Sequence, residues 1–266
     1  MSDAPKNIVW IASYPKSGNT WVRFMACNLL YGRQESAAAV SVLAPDIHER
    51  GRELIEGAHA GLVKTHFACS PSMPMVERTA AAIYIVRTPE DVIVSNFFYA
   101  QRSTAAAPTA DSRIAFDQYF DAFVSNRGDP RWARLGMGSW EDNVRSWLEA
   151  PHPFPVLAIR FEDLASDAQR VGSMLAQLVR PQSSAEEIRR AVDNSSFQRL
   201  KEIEEADIGE KRQGIFYKPY LEPSIQAGRR FMRRGSVGAA ELTQEQRARL
   251  GAAFGPLLAK LGYTRT

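Results

Sequence analysis

Short unbroken apolar runs alternate along this chain with longer stretches in which apolar residues recur every three or four positions. The run Ile8-Val9-Trp10-Ile11-Ala12-Ser13 is continuous and rich in β-branched residues, the pattern of a strand covered on both faces. Residues 14–20 break it with Pro15 and Gly18, and 21–30 resume at helical spacing, with Trp21, Phe24, Met25, Asn28 and Leu29 on one face. Leu62–Thr65 and 81–86 predict two further strands, and 155–160 a fourth. After the third, Thr88 can cap a helix, Pro89 fits its first position and Glu90 and Asp91 suit its first turn, so a helix is predicted through Phe97 and Phe98. A loop is predicted at 105–109. Helices are predicted at 139–148, 165–179, 185–192, 197–205 and 243–261, the last opened by a capping box of Thr243 and Gln246. Between the last two lies a long segment, 207–238, with little periodicity, and a connection of that length inside a domain is usually functional.

Buried strands that alternate with helices predict an α/β fold: one doubly wound parallel sheet with helices on both faces. No repeat, heptad or sharp domain boundary interrupts the pattern, so 1–266 reads as one domain. Composition narrows the function classes. With 45% hydrophobic and 24% charged residues the chain can bury a core, which argues against disorder. A net charge of +3 is too small for a dedicated polyanion binder, so nucleic acid is not an expected partner and any anion site must come from local clustering. Two cysteines, Cys27 and Cys69, suit a reducing compartment, and no stretch predicts a leader peptide or a membrane span, so the expected location is the cytoplasm. No cluster of His, Cys and carboxylates predicts a metal site.

Ligands of open parallel sheets sit beyond the carboxyl ends of the strands, and the polar motifs of this chain fall there. Lys16-Ser17-Gly18-Asn19-Thr20 joins the first strand to the first helix, where backbone N–H groups, the helix dipole and hydroxyls can cradle an anion. It lacks the second glycine of a nucleoside triphosphatase loop, and its lysine precedes the glycine. Lys64-Thr65-His66 ends the second strand, and imidazole can accept a proton near neutral pH. Arg87 ends the third strand, with Ser95 two helical turns further on. The guanidinium fork suits a dianionic phosphate. Phe231-Met232-Arg233-Arg234-Gly235 adds a basic run late in the irregular segment.

Tyr14-Pro15-Lys16-Ser17-Gly18-Asn19-Thr20-Trp21 resembles the signature loop of the sulfotransferases that use 3′-phosphoadenosine 5′-phosphosulfate (PAPS), with Asn19 where that family has a second threonine. The Lys64-Thr65-His66 block, Arg87 with Ser95, and the 231–235 stretch resemble further family blocks in the same order, with Arg234 in place of a common lysine. The resemblance implies a P-loop-like fold and transfer of a sulfuryl group from PAPS to a hydroxyl, with no metal. It implies Lys16, His66 and Ser95 as catalytic residues. Lys16, Ser17, Gly18, Asn19 and Thr20 would hold the phosphosulfate, and Arg87, Ser95, Arg233, Arg234 and Gly235 the 3′-phosphate. Trp21, Phe161, Ser195 and Phe197 would contact adenine, although Phe161 lacks the hydroxyl of the family's tyrosine.

Lys64, Phe67 and Phe98 are expected to face the acceptor, and Lys64 is equally open to a structural role. Phe67, Phe97, Phe98, Tyr99, Phe120 and Trp132 together would favour an acceptor with apolar bulk. His48, His59 and His152 match no motif and read as structural. Segment 207–238 would act as a lid and as part of the 3′-phosphate site. The resemblance leaves a homodimer open, although the family's lysine-threonine-valine-glutamate dimer motif is absent. Two alternatives stand beside this reading: a protein that binds the adenosine bisphosphate without chemistry, and a P-loop kinase.

Overall fold

Strands β1 (Ile8–Ser13), β2 (Leu62–Thr65), β3 (Thr79–Val86) and β4 (Val156–Arg160) pair in parallel in the order β2-β1-β3-β4. The structure, a computed structural model, describes residues 5–49, 61–102, 112–233, 235 and 237–263. The predicted loop at 105–109, His59 and Arg234 lie outside the described residues. The helices are α1 (Asn19–Tyr31), α2 (Ala37–Leu43), α3 (Pro89–Arg102), α4 (Ser112–Ser125), α5 (Trp140–Leu148) and α6 (Phe161–Ser166). They continue with α7 (Ala168–Val179), α8 (Ala185–Asp193), α9 (Phe197–Gly209), α10 (Glu222–Gln226) and α11 (Gln244–Lys260).

Strand alternation divides the interior into two cores, because successive side chains point to opposite faces. Trp10, Ala12, Val63, Ala82, Tyr84 and Val86 enter one core, closed by Val92, Phe120, Trp140 and Phe254 from α3, α4, α5 and α11. Ile11, Leu62, Ile83, Ile85 and Ile159 enter the other, closed by Phe24, Val40, Leu175, Ala191 and Leu200 from α1, α2, α7, α8 and α9. Both faces of the sheet are therefore covered, as the unbroken apolar runs require.

The departures from the predicted elements have local causes. The expected helix at 165–179 is two helices, since Asp167 leaves helical geometry and its side chain accepts from the Arg170 N–H to start α7 afresh. Helices α2 and α4 were not predicted. Within the segment expected to be irregular, α9 runs on to Gly209, and a 3₁₀ turn at Pro219–Leu221 leads into α10. The capping box of Thr243 and Gln246 opens α11 with both of its hydrogen bonds. The topology also fixes where a site can form. From β1 the sheet grows outward to β2, and from β3 it grows the other way to β4, so the connections diverge between β1 and β3. That switch point opens a crevice at their carboxyl ends, beside residues 14–20, 66 and 87.

Candidate active site

A cavity of about 310 Å³ occupies this crevice, and Lys16, Gly18, Asn19, Thr20, His66, Arg87, Ser95 and Arg233 all line it. Lys16 and Arg87 are joined directly, as the Arg87 Nη1 donates to the Lys16 carbonyl oxygen at 3.2 Å. The loop between β1 and α1 forms a concave turn: Lys16 has φ 71° and Gly18 φ 97°. At Gly18 a side chain is doubly excluded, since φ is left-handed and a Cβ would lie 2.6 Å from Cδ2 of Phe161. Gly18 also begins α1, and no side chain caps that helix, so its first amides are left to a ligand. Beneath the loop, the Ser17 Oγ is buried and has no hydrogen-bond partner among the described residues. An uncapped helix start and an orphaned hydroxyl around a left-handed turn fit an anion in the loop.

Lys16 reaches between two aromatic rings, with Nζ 4.1 Å from the ring centre of Tyr99 and 4.1 Å from that of Phe231. Burial, reinforced by the charges of Arg102 and Arg87, lowers the ammonium to a pKa of about 7. A bound anion would reverse that effect.

His66 follows β2, and its ring is held from several sides. The Nδ1 lies 2.7 Å from the Ser13 carbonyl oxygen. A carbonyl only accepts, so Nδ1 carries the proton and Nε2 keeps a free lone pair. The backbone N–H of His66 donates to the His48 Nε2 at 2.8 Å, and its carbonyl accepts from the Asn143 Nδ2 at 3.0 Å. Burial and the neighbouring Lys64 charge push the imidazole well below its ordinary 6.5, so it stays neutral, as a base must.

Arg87 lies over Phe161, its guanidinium carbon 3.8 Å from the ring centre, with Nε 3.6 Å from Asp91. Arg233 pairs with Glu241 at 2.9 Å and covers the ring of Phe98. Trp21 meets Phe161 edge-on, with ring centres 6.0 Å apart, and meets Phe197 at 5.7 Å. These three rings make an aromatic cup next to the two arginines. Gly235 closes it, where a Cβ would lie 2.5 Å from Cγ of Phe197.

Some expected contacts are not made. Ser195 is fully buried away from the cavity, where its hydroxyl accepts from Asn28 at 2.8 Å and donates to the Ala191 carbonyl at 2.7 Å. Asn19 lines the cavity, yet its amide N–H groups go to the Ile11 carbonyl at 2.9 Å and to the Ser13 Oγ at 3.2 Å, which makes it a strut to β1. Lys64 does line the cavity, with its ammonium paired to Asp46 at 2.7 Å. Four of the six aromatics expected at the acceptor wall are absent from the lining: Phe67 packs on His48, Phe97 and Phe120 join the core, and Phe98 lies under Arg233. Tyr99 and Trp132 do line it.

In their place the wall includes Asp46, His48, Glu49, Arg102, Lys218 and Tyr220, none of them singled out from the sequence. His48, expected to be structural, thus both lines the cavity and holds the His66 backbone. One signal was available for Arg102: it follows Ser95 by seven residues and Tyr99 by three, the spacing of one helix face. Among the described residues no group of three or more His, Cys, Asp or Glu side chains could hold a metal ion, and no helix is long and apolar enough to cross a membrane.

Comparison with known proteins agrees with this geometry. The model of the family described as the sulfotransferase domain matches residues 6–262. Mouse sulfotransferase 1E1 is 28% identical over 211 residues, which cover 74% of this chain and 66% of that protein. Dog sulfotransferase 1A1 is 27% identical over 241 residues, covering 86% of this chain and 75% of the relative. The chain thus spans just under two thirds of the mouse protein and of rat sulfotransferase 1A1, at 66% of each. Among solved structures, mouse sulfotransferase SULT7A1 complexed with PAP superposes with a TM-score of 0.68 at 20% identity, covering 96% of this chain and 85% of that one. Retinol dehydratase in complex with retinol and PAP gives 0.69 at 17% identity, covering 97% and 82%. Both share the fold.

Proposed function

The chain belongs to the sulfotransferase domain family, and on that premise we propose that it transfers the sulfuryl group of PAPS to a hydroxylated small molecule, giving a sulfate ester and 3′,5′-bisphosphoadenosine (PAP). One observation carries this reading: Lys16, Arg87 and His66 share one cavity, and the Ser13 carbonyl fixes His66 with Nε2 free. A protein that only bound the nucleotide would have no use for a neutral imidazole so oriented. A P-loop kinase would need the second glycine that the loop at 14–20 lacks.

PAPS supplies an activated S–O bond; the side chains supply the rest. The loop at 16–20, with its left-handed turn and uncapped helix start, holds the phosphosulfate. Arg87, Ser95 and Arg233 take the 3′-phosphate, together with Arg234 and Gly235, and Trp21, Phe161 and Phe197 enclose the adenine. His66 Nε2 accepts the acceptor's hydroxyl proton as the oxygen bonds to sulfur. The bond from sulfur to the bridging oxygen breaks, and the Lys16 ammonium stabilises the charge left on that oxygen. Segment 207–238 serves as a lid, a role supported by Ile215, Lys218, Tyr220 and Phe231, which line the cavity from it. The same reading covers 1–266 as one domain working in the cytoplasm, with a homodimer as the assembly to test by light scattering.

The deciding experiment incubates the protein with PAPS and a collection of hydroxylated compounds and looks for products heavier by SO₃. Absence of any such product, with no PAP bound in calorimetry, would overturn the reading.

A further inference from the structure

Charged side chains line the cavity in two groups. Arg87 and Arg233 are electrostatic neighbours at one end, beside the aromatic cup. At the other end Tyr99 interacts with Tyr220, Arg102, Lys218 and Glu49. Most charges at this second end are already matched. Lys218 pairs with Glu49 at 2.6 Å, and Lys64 pairs with Asp46 at 2.7 Å.

Arg102 is the exception. It ends the face of α3 on which Asp91, Ser95 and Tyr99 also line the cavity, and it is only 3% exposed. One Nη donates to the Phe216 carbonyl, and the other nearby acceptor is Glu204, whose carboxylate stands 4.0 Å away. That carboxylate is already engaged by the backbone N–H groups of Phe231 and Met232, at 2.5 and 2.8 Å. The Arg102 Nε is buried with no hydrogen-bond partner among the described residues. Its guanidinium also shares the Phe231 ring with Lys16, at 5.4 Å against 4.1 Å from the ring centre, so it stands next to the reacting end of the donor. A buried cation with a half-matched charge is costly unless a ligand completes it.

We propose that Arg102 reads an anionic group on the acceptor, so that the acceptor class is a hydroxyl compound bearing a carboxylate or phosphate. This rests on the sulfuryl-transfer reading above and names the substrate class of that site. It replaces the apolar acceptor expected from the aromatics, four of which do not line the cavity. The donor's own anionic groups are accounted for by the loop at 16–20 and by the arginines at the far end, which leaves Arg102 for the second substrate.

The test is a pooled transfer assay with PAPS, in which phenols and alcohols are presented in three matched arms: neutral, carboxylate-bearing and phosphate-bearing. Products heavier by SO₃ are scored in each arm, and PAP binding is measured alongside by calorimetry. The expected result is that an anionic arm is preferred over its neutral counterparts by about 10- to 100-fold in kcat/KM. Arg102→Gln should collapse that ratio toward one, and Arg102→Lys should restore part of it, while both variants still bind PAP, which certifies the fold. Wild-type protein that binds PAP and sulfates neutral members but no anionic one, or prefers the neutral arm, overturns the inference and leaves the transfer reading standing. A ratio unmoved in a PAP-binding Arg102→Gln variant also overturns it. If Arg102→Gln fails to bind PAP, the wild-type ratio together with Arg102→Lys decides. Wild-type protein that neither binds PAP nor transfers sulfur refutes the underlying reading instead.

Discussion

The Nδ1 of His66 lies 2.7 Å from the carbonyl oxygen of Ser13, the last residue of β1, so the strand beside β2 sets the tautomer of the base. The hydrogen bond also aims the ring, which matters because a general base must reach the acceptor's proton at about 2.6–3.2 Å. A glutamine at this position can still donate to Ser13 but has no basic nitrogen. His66→Gln should therefore lower the rate of transfer by roughly 100- to 10,000-fold. PAP affinity should remain within a factor of two or so, as the ring makes no part of the anion cradle. Radiolabel transfer and calorimetry measure the two quantities, and a His66→Gln enzyme with normal turnover would remove this residue from the mechanism.

The pH profile follows from two groups moved in the same direction. His66 must be neutral to accept a proton, and burial with the Lys64 charge keeps it neutral to well below pH 6.5. Lys16 must be charged, and burial with Arg102 and Arg87 brings its pKa to about 7 in the free protein. The kcat/KM for PAPS reports free-enzyme groups, so its acid limb should lie well below 6.5 and its alkaline limb near 7. Above that limb the value should fall by about tenfold per pH unit. Lys16→Arg keeps a charge across this range and should carry the alkaline limb upward, with a lower maximum because the guanidinium has a different shape. A limb that stays near 7 in that variant would mean some other group titrates there.

Lys16 and Arg87 were legible because each follows a strand with a clear apolar run, and His66 because its block follows the shorter run Leu62-Val63; topology converts strand ends into one crevice. Ser195 was not, because its neighbours in sequence say nothing of Asn28, which holds its hydroxyl from α1. Phe67, Phe97 and Phe98 failed for a related reason: an aromatic residue looks the same in sequence whether it lines a cavity or fills a core. The wall of Asp46, Glu49, Lys64 and Lys218 is built of pairs spanning β2 with the chain before it, and the 207–238 segment with Glu49. Pairings at such separations leave no periodic trace. Helix α4 was missed although it supplies Phe116, Phe120 and Phe123 to the core.

Gly235 offers a test of the aromatic cup that keeps every charge. Its missing side chain leaves room for the Phe197 ring, and a Cβ would sit 2.5 to 2.8 Å from three ring carbons. Gly235→Ala should displace the ring and weaken PAP binding by about tenfold, with a stability loss of roughly 1–3 kcal/mol. Shortening the ring's side chain should relieve the clash. The double variant Gly235→Ala with Phe197→Ala should therefore be more stable than the two single losses added together, and a double-mutant cycle in urea measures that coupling. Simple additivity would show that the two residues do not press on one another.

Asn19 separates two roles that the loop could assign to the same position. As a ligand to the phosphosulfate it would contribute to affinity; as a strut it contributes to the fold. The side-chain N–H groups are directed to Ile11 and Ser13, at 2.9 and 3.2 Å, and Asn19 is 6% exposed. Removing them leaves a carbonyl of β1 with one partner fewer in a buried position. Asn19→Ala should thus cost about 1–3 kcal/mol in urea unfolding, with PAP affinity lowered by less than about threefold. Because the same Ser13 also holds His66, turnover should fall further than affinity does. The opposite pattern, full stability with a large loss of PAP binding, would make Asn19 a donor ligand, and the hydrogen bonds to β1 incidental. Asn19→Thr discriminates further: threonine has a hydroxyl for an anion but cannot donate twice to β1, so under the strut role it behaves like alanine.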